Sequence, residues 1–134
     1  MKLSGLVAGA AVAAAAAPEP ARFDRVPLSE PLNWTPGPRL FPHLVIREKA
    51  QSAPYDRWER DAWAQHILDQ CKQTDGCHST LSFSALSTTG SRARIWVGYL
   101  FRGGPTTEYD YWHAHPRRTD GVQDSVAYTI VNQA

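Results

Sequence analysis

The densest run of side chains able to do chemistry is Tyr109-Asp110-Tyr111-Trp112-His113-Ala114-His115, followed by Pro116-Arg117-Arg118. Aromatic rings have flat apolar faces and polar edges, which suits them to stacking on sugar rings or filling a pocket on a protein partner. Asp110 and Arg117 stand beside them to give directional hydrogen bonds, so Tyr109, Asp110, Tyr111, Trp112 and Arg117 form a candidate binding loop. The same rings also suit a second role, closing a small core that is poor in aliphatic residues. His113 and His115 form a His-x-His pair whose imidazoles would share one face of an extended strand, as a shared metal ion requires. A third ligand would have to come from Glu108, Asp110, His43 or His78. Nothing in the spacing brings one of these near, so neither a metal site nor a cofactor is expected.

A hydrolytic set can be assembled from His78, Arg94, Glu108 and His113, which would supply the base, acid and phosphate-stabilising cation of a small ribonuclease-type enzyme. No spacing ties the four together. The chain has no Gly-x-Ser-x-Gly elbow, no His-Glu-x-x-His and no phosphate-cradling glycine loop; Arg102-Gly103-Gly104-Pro105 runs into proline instead of opening a helix.

Where the chain goes bears on its cysteines. Lys2 followed by the uncharged run Leu3 to Ala17 has the pattern of a secretory signal peptide over residues 1–17, with cleavage after Ala16 fitting best because Pro18 follows Ala17. That run is shorter than the roughly twenty residues a membrane-spanning helix needs, and no later segment is apolar enough to span. Removal leaves about 118 residues, one domain. Loss of Lys2 brings the 14 Lys and Arg down to 13, against 13 Asp and Glu. A neutral domain lacks the basic surplus that nucleic-acid binding demands, so the expected partners are an extracellular protein or glycan. In an oxidising compartment Cys71 and Cys77 have one intrachain pairing open to them, and a disulfide removes the thiolate that a cysteine nucleophile would need. Asn33-Trp34-Thr35 is a glycosylation sequon, and Arg117-Arg118 is a dibasic pair open to a processing protease.

The elements that must position these residues follow from periodicity. Residues 18–42 hold seven of the ten prolines, which predicts an irregular arm anchored by Trp34, Leu40 and Phe41, with a single domain over 43–134. His43 to Arg47 reads as a short strand. Ser52 to Gln73 reads as the one helix, with Ser52 as N-cap, Pro54 in the first turn and a buried stripe at Trp63, Ala64, Ile67, Leu68 and Cys71. Gly76 stands where a left-handed residue closes a helix. Leu81, Phe83 and Ala85 alternate with Ser82 and Ser84, as in a strand with one buried face. Arg92 to Phe101 is the longest strand, with Ile95, Val97, Tyr99 and Phe101 on one face and Trp96 and Leu100 on the other, so both faces should be covered. Tyr109 to Trp112 suits a short edge strand, His113 to Val122 a loop and Ser125 to Val131 a last strand. This order predicts an α+β domain, one helix packed on an antiparallel sheet of four to five strands.

The helix, the step Cys71-Lys72-Gln73-Thr74-Asp75-Gly76-Cys77 and the strand Leu81 to Ala85 resemble the PAN/apple module, in particular its small secreted fungal versions. Phe83 matches, and Gly98-Tyr99-Leu100-Phe101 before Gly103-Gly104 takes the place of a last-strand motif in which the family carries a further cysteine that this chain lacks. The resemblance covers roughly residues 55–104. It implies a helix cradled on a five-stranded antiparallel sheet and a binding role towards protein or carbohydrate, with no catalytic residues.

Overall fold

The computed structural model describes residues 20–115 and 117–132, so the expected signal peptide over residues 1–17 lies outside the described residues. The fold is α+β. Strands β1 (Arg22–Arg25), β2 (Trp34–Pro36) and β3 (Gln51–Pro54) precede helix α1 (Arg60–Lys72), and β4 (Ser79–Leu86), β5 (Arg94–Phe101), β6 (Tyr111–His113) and β7 (Gln123–Asn132) follow it. Five of the strands form one antiparallel sheet in the order β1-β7-β4-β5-β3, while β2 and β6 pair as a separate two-stranded ribbon.

The buried residues of α1 are Trp63, Ala64, Ile67, Leu68 and Cys71, the stripe that a 3.6-residue period puts on one side. Of these, Trp63, Ile67 and Cys71 meet Trp96 and Leu100 of β5 with Ile46 and the Cys77 half of the disulfide, and this cluster fills the space between helix and sheet. Strand alternation sends Leu81, Phe83, Ala85 and Phe101 to the opposite face, where Val26, Leu40, Val45, Tyr111 and Val122 cover them. Both faces of β4 are therefore buried, not one, and every residue from Ser79 to Ala85 is shielded. The reason is size. Thr80, Ser82 and Ser84 are small enough to lie beneath the helix, and Ser82 pairs with Gly98 directly below Ile67.

The helix begins later than its sequence predicts, at Arg60, and Ser52 does not cap it. Gln51–Pro54 instead pairs with Ile95–Gly98 as an edge strand, where Pro54 is tolerated at the end of the ladder. The Trp96 Nε1–H donates to the carbonyls of Tyr55 and Trp58 at 2.9 and 3.1 Å, and the segment between them, Tyr55–Arg57, is a single 3-10 turn separate from α1. His43 to Arg47 is likewise not a strand. Leu40 to Leu44 is wound in turns closed on Gly37 and Leu40, and only Val45 makes a bridge, to Phe101. Nor is the proline-rich arm irregular throughout. The window from Arg22 to Arg25 contains no proline, keeps its backbone donors and adds to the sheet edge beside β7. Leu40 anchors the arm fully buried, whereas Phe41 is exposed.

Cys71 and Cys77 form a disulfide with their Cα atoms 5.3 Å apart, joining the last turn of α1 to the segment just before β4. Gly76, at φ 80°, makes the left-handed step between them. Closing so short a loop stabilises by about 2 to 3 kcal/mol in the chain-entropy view, a local contribution beside that of the core. Among the described residues no helix is long and apolar enough to cross a membrane.

Candidate functional site

The ribbon of β2 and β6 displays the aromatic run. Trp34 pairs with His113, Thr35 with Trp112 and Pro36 with Tyr111. The three rings of the candidate loop part company here. Tyr111 is 2% exposed and packs in the core, whereas Tyr109 is 85% and Trp112 60% exposed. The Tyr111 hydroxyl donates to Thr106 Oγ1 at 3.0 Å, and burial pushes the phenol up to about 12. Tyr111 thus takes the core-closing role, and Tyr109 and Trp112 are the two rings left exposed.

Their backbone is held from several sides. The Trp112 carbonyl accepts from Thr35 Oγ1 at 3.0 Å, and the Asp110 carbonyl accepts from the Gly37 N–H at 2.9 Å. A Cβ on Gly37 would stand 2.6 Å from that carbonyl oxygen, so the approach requires glycine. Tyr109 sits in a single 3-10 turn, Glu108–Asp110, closed by a capping box with Thr107. Asp110, expected to contact ligand, is instead a structural clamp. Its carboxylate accepts from Arg39 Nε at 2.6 Å and from the Thr107 N–H at 2.8 Å. Arg39 also donates to the carbonyls of Gly103 and Pro105, tying the loop after β5 to the ribbon.

Burial alone would raise the Asp110 carboxyl, but the Arg39 guanidinium and the Thr107 N–H together outweigh it and hold it below its ordinary value. A carboxyl depressed in the folded state adds stability that is complete above the unfolded value near about 4 and disappears as pH falls through the lower folded value. Asp110→Asn is expected to cost about 1 kcal/mol or less at neutral pH, since Arg39 is 43% exposed to water. That deficit relative to wild type should vanish as urea midpoints are followed from about pH 6 down to about pH 2. A deficit of constant size would show that the ion pair is not its source.

The remaining expected residues are dispersed. His113 Nδ1 bonds to Asn33 Oδ1, and its ring lies on Trp34 with centroids 3.7 Å apart. Asn33, the sequon residue, is half-buried there. His115 Nδ1 accepts from the Arg117 N–H at 3.0 Å; Arg117 itself is exposed, and Arg118 pairs with Asp120. Among the described residues no three of His, Cys, Asp and Glu are grouped to hold a metal ion. The hydrolytic set does not assemble either. His78 precedes β4 at the end where Ser79 faces Phe101, and its Nδ1 accepts from the Gly104 N–H. Arg94 faces Leu86 at the other end, which puts the two roughly 25 Å apart along the ladder.

A second polar cluster went unread in the sequence. Arg94 Nη1 donates to Ser84 Oγ at 3.0 Å and to the Gly121 carbonyl at 2.8 Å, and Ser84 donates to Asp124 Oδ2 at 2.7 Å. Tyr55 reaches the same carboxylate at 3.3 Å while its ring stacks on Trp96 with centroids 4.9 Å apart. Asp124 has φ 64° at the point where the β4–β7 register shifts, a left-handed conformation that costs a non-glycine residue roughly 1 to 3 kcal/mol. The one local sign of this cluster was Arg94, the only charge in an otherwise apolar strand. Comparison of this chain with known protein families, with characterised proteins and with solved structures finds no match.

Proposed function

We propose that the chain is a secreted, PAN/apple-like binding module that recognises an extracellular carbohydrate or protein through Trp112 and Tyr109. The observation that carries this reading is the pairing of two large exposed rings with a backbone fixed by side-chain and backbone hydrogen bonds. Large aromatics left in water on a small domain mark interaction surfaces, and a platform rigid before binding loses little entropy on contact. Arg117, exposed in the following loop, adds a directional donor. One helix on a five-stranded antiparallel sheet is the architecture that the PAN/apple resemblance implies, and a Cys71–Cys77 disulfide is the state an oxidising compartment favours.

A glycan array probed with wild type, Trp112→Ala and Tyr109→Ala tests the reading. The Trp112 change is expected to weaken binding by at least about 2 kcal/mol, roughly thirtyfold, while the melting temperature stays within a degree or two because the ring is mostly in water. Array signals that survive both changes would remove the ribbon as the binding surface. A blank array, with a purified extracellular protein bound in a Trp112-dependent way, would assign the surface to protein.

A further inference from the structure

A cleft of about 650 Å³ opens where β3 ends and the chain turns away from β5. Its size falls within the range of small-ligand sites. Ala53, Pro54, Ala93 and Ile95 give its lining an apolar part, and Ser52, Tyr55, Asp56 and Arg94 a polar one. It is separate from the β2–β6 ribbon and shares no lining residue with it.

Arg94 is the informative group. Both of its hydrogen bonds leave through Nη1, to Ser84 Oγ and the Gly121 carbonyl. Ser84 is fully buried and spends its own hydrogen on Asp124, so its oxygen is oriented to accept from the guanidinium. The Arg94 side chain is thereby fixed, with its carbon centre 5.9 Å from the centroid of the Tyr55 ring. The Nε–Nη2 edge, the fork that matches a carboxylate with two parallel hydrogen bonds, takes no part in these bonds. Among the described residues no carboxylate stands within ion-pair distance of this guanidinium. The site therefore presents one held cation, an aromatic ring braced on Trp96 and apolar lining groups, with a hydroxyl and a carboxylate from Ser52 and Asp56.

We propose that this cleft binds a hexuronic acid unit of an acidic polysaccharide, the sugar carboxylate on the Arg94 fork and the ring against Tyr55 and Pro54. A neutral sugar would leave the fork unused. A phosphate dianion would bring a second negative charge towards Asp56 and Asp124. An aliphatic carboxylate would make no use of Ser52 and Asp56, which accept from ring hydroxyls. This proposal goes beyond the ribbon reading and does not depend on it.

The test is an amide chemical-shift titration of the wild-type protein with trigalacturonic acid, the corresponding galactose trisaccharide and hexanoate. Shifts should centre on Tyr55, Asp56, Ala93, Arg94 and Ile95, with the uronate binding about tenfold or more tighter than either comparator. Arg94→Gln should weaken uronate binding by about tenfold, and Arg94→Lys, which keeps the charge and loses the fork, should recover only part of it. The wild-type titration stands even if the Arg94→Gln protein fails to fold. Equal binding of the neutral trisaccharide or of hexanoate overturns the proposal, as does unchanged uronate affinity in a folded Arg94→Gln protein. A response confined to Trp112 and Tyr109 also overturns it, and leaves the ribbon reading standing.

Discussion

Trp63→Ala is expected to lower the unfolding free energy by about 3 to 5 kcal/mol, as measured by urea denaturation followed by circular dichroism. Trp63 projects from the buried face of α1 and is 2% exposed. Its Nε1–H donates to the Val97 carbonyl at 3.0 Å, so the side chain both fills the space between helix and sheet and ties the helix to β5. Its ring also meets Trp58 and His66, with centroids 5.4 Å away in each case. Truncation would open a cavity between two rigid layers and leave the Val97 carbonyl without this donor. A small domain has only about 5 to 15 kcal/mol in total, so the variant should lose about a fifth or more of its stability. A loss below about 1 kcal/mol would mean that the helix is not fastened to the sheet through this residue.

The opposite experiment probes the same layer. In Gly98→Val the new Cβ would stand 2.5 Å from Ile67 Cγ1 and closer still to Cδ1, with the side chain of Ile67 fully enclosed. Relief requires the helix to rise from the sheet or Ile67 to leave its rotamer, at about 1 to 3 kcal/mol for the first methyl and more for the rest. Gly98→Ala should be the milder of the two, and Gly98→Val combined with Ile67→Ala should recover part of the loss. Coupling of that kind is expected only for residues in direct contact, so strictly additive losses in the double variant would contradict the packing described.

The parts of this fold that the sequence disclosed are those fixed by local periodicity. The Trp63, Ala64, Ile67, Leu68 and Cys71 stripe, the Gly76 step and the apolar alternation of β4 and β5 each follow from residues close together in the chain. What stayed hidden depends on partners far away. Gln51–Pro54 carries signals for the first turn of a helix, yet it becomes a strand because β5 offers an edge more than forty residues later. Arg22–Arg25 and the Trp34–Pro36 pairing with Tyr111–His113 have the same origin. The hydroxyl-rich face of β4 read as solvent-facing, whereas it is the side on which small residues let a helix lie close.

The candidate sites divide along the same line. Composition drew attention to Tyr109, Tyr111 and Trp112, but only the β2–β6 register decides which ring turns inward, and it selects Tyr111. Asp110 read as a ligand contact because its partner, Arg39, lies 71 residues away. The cluster of Tyr55, Ser84, Arg94 and Asp124 joins four separate segments through hydrogen bonds spanning 10 to 69 residues, and beyond the lone charge of Arg94 in an apolar strand no local pattern announces it.

On the proposed function, Trp112 meets the ligand from the β2–β6 ribbon, and its indole N–H would report on that contact directly. The protein has five tryptophans, of which Trp34, Trp63 and Trp96 already donate their Nε1–H groups to backbone carbonyls, Trp63 and Trp96 in the core away from the ribbon. In a titration with the glycan that gives the strongest array signal, the Trp112 indole resonance should move in a saturable way while those of Trp63 and Trp96 stay in place. Saturation of binding with the Trp112 resonance unmoved would contradict the account.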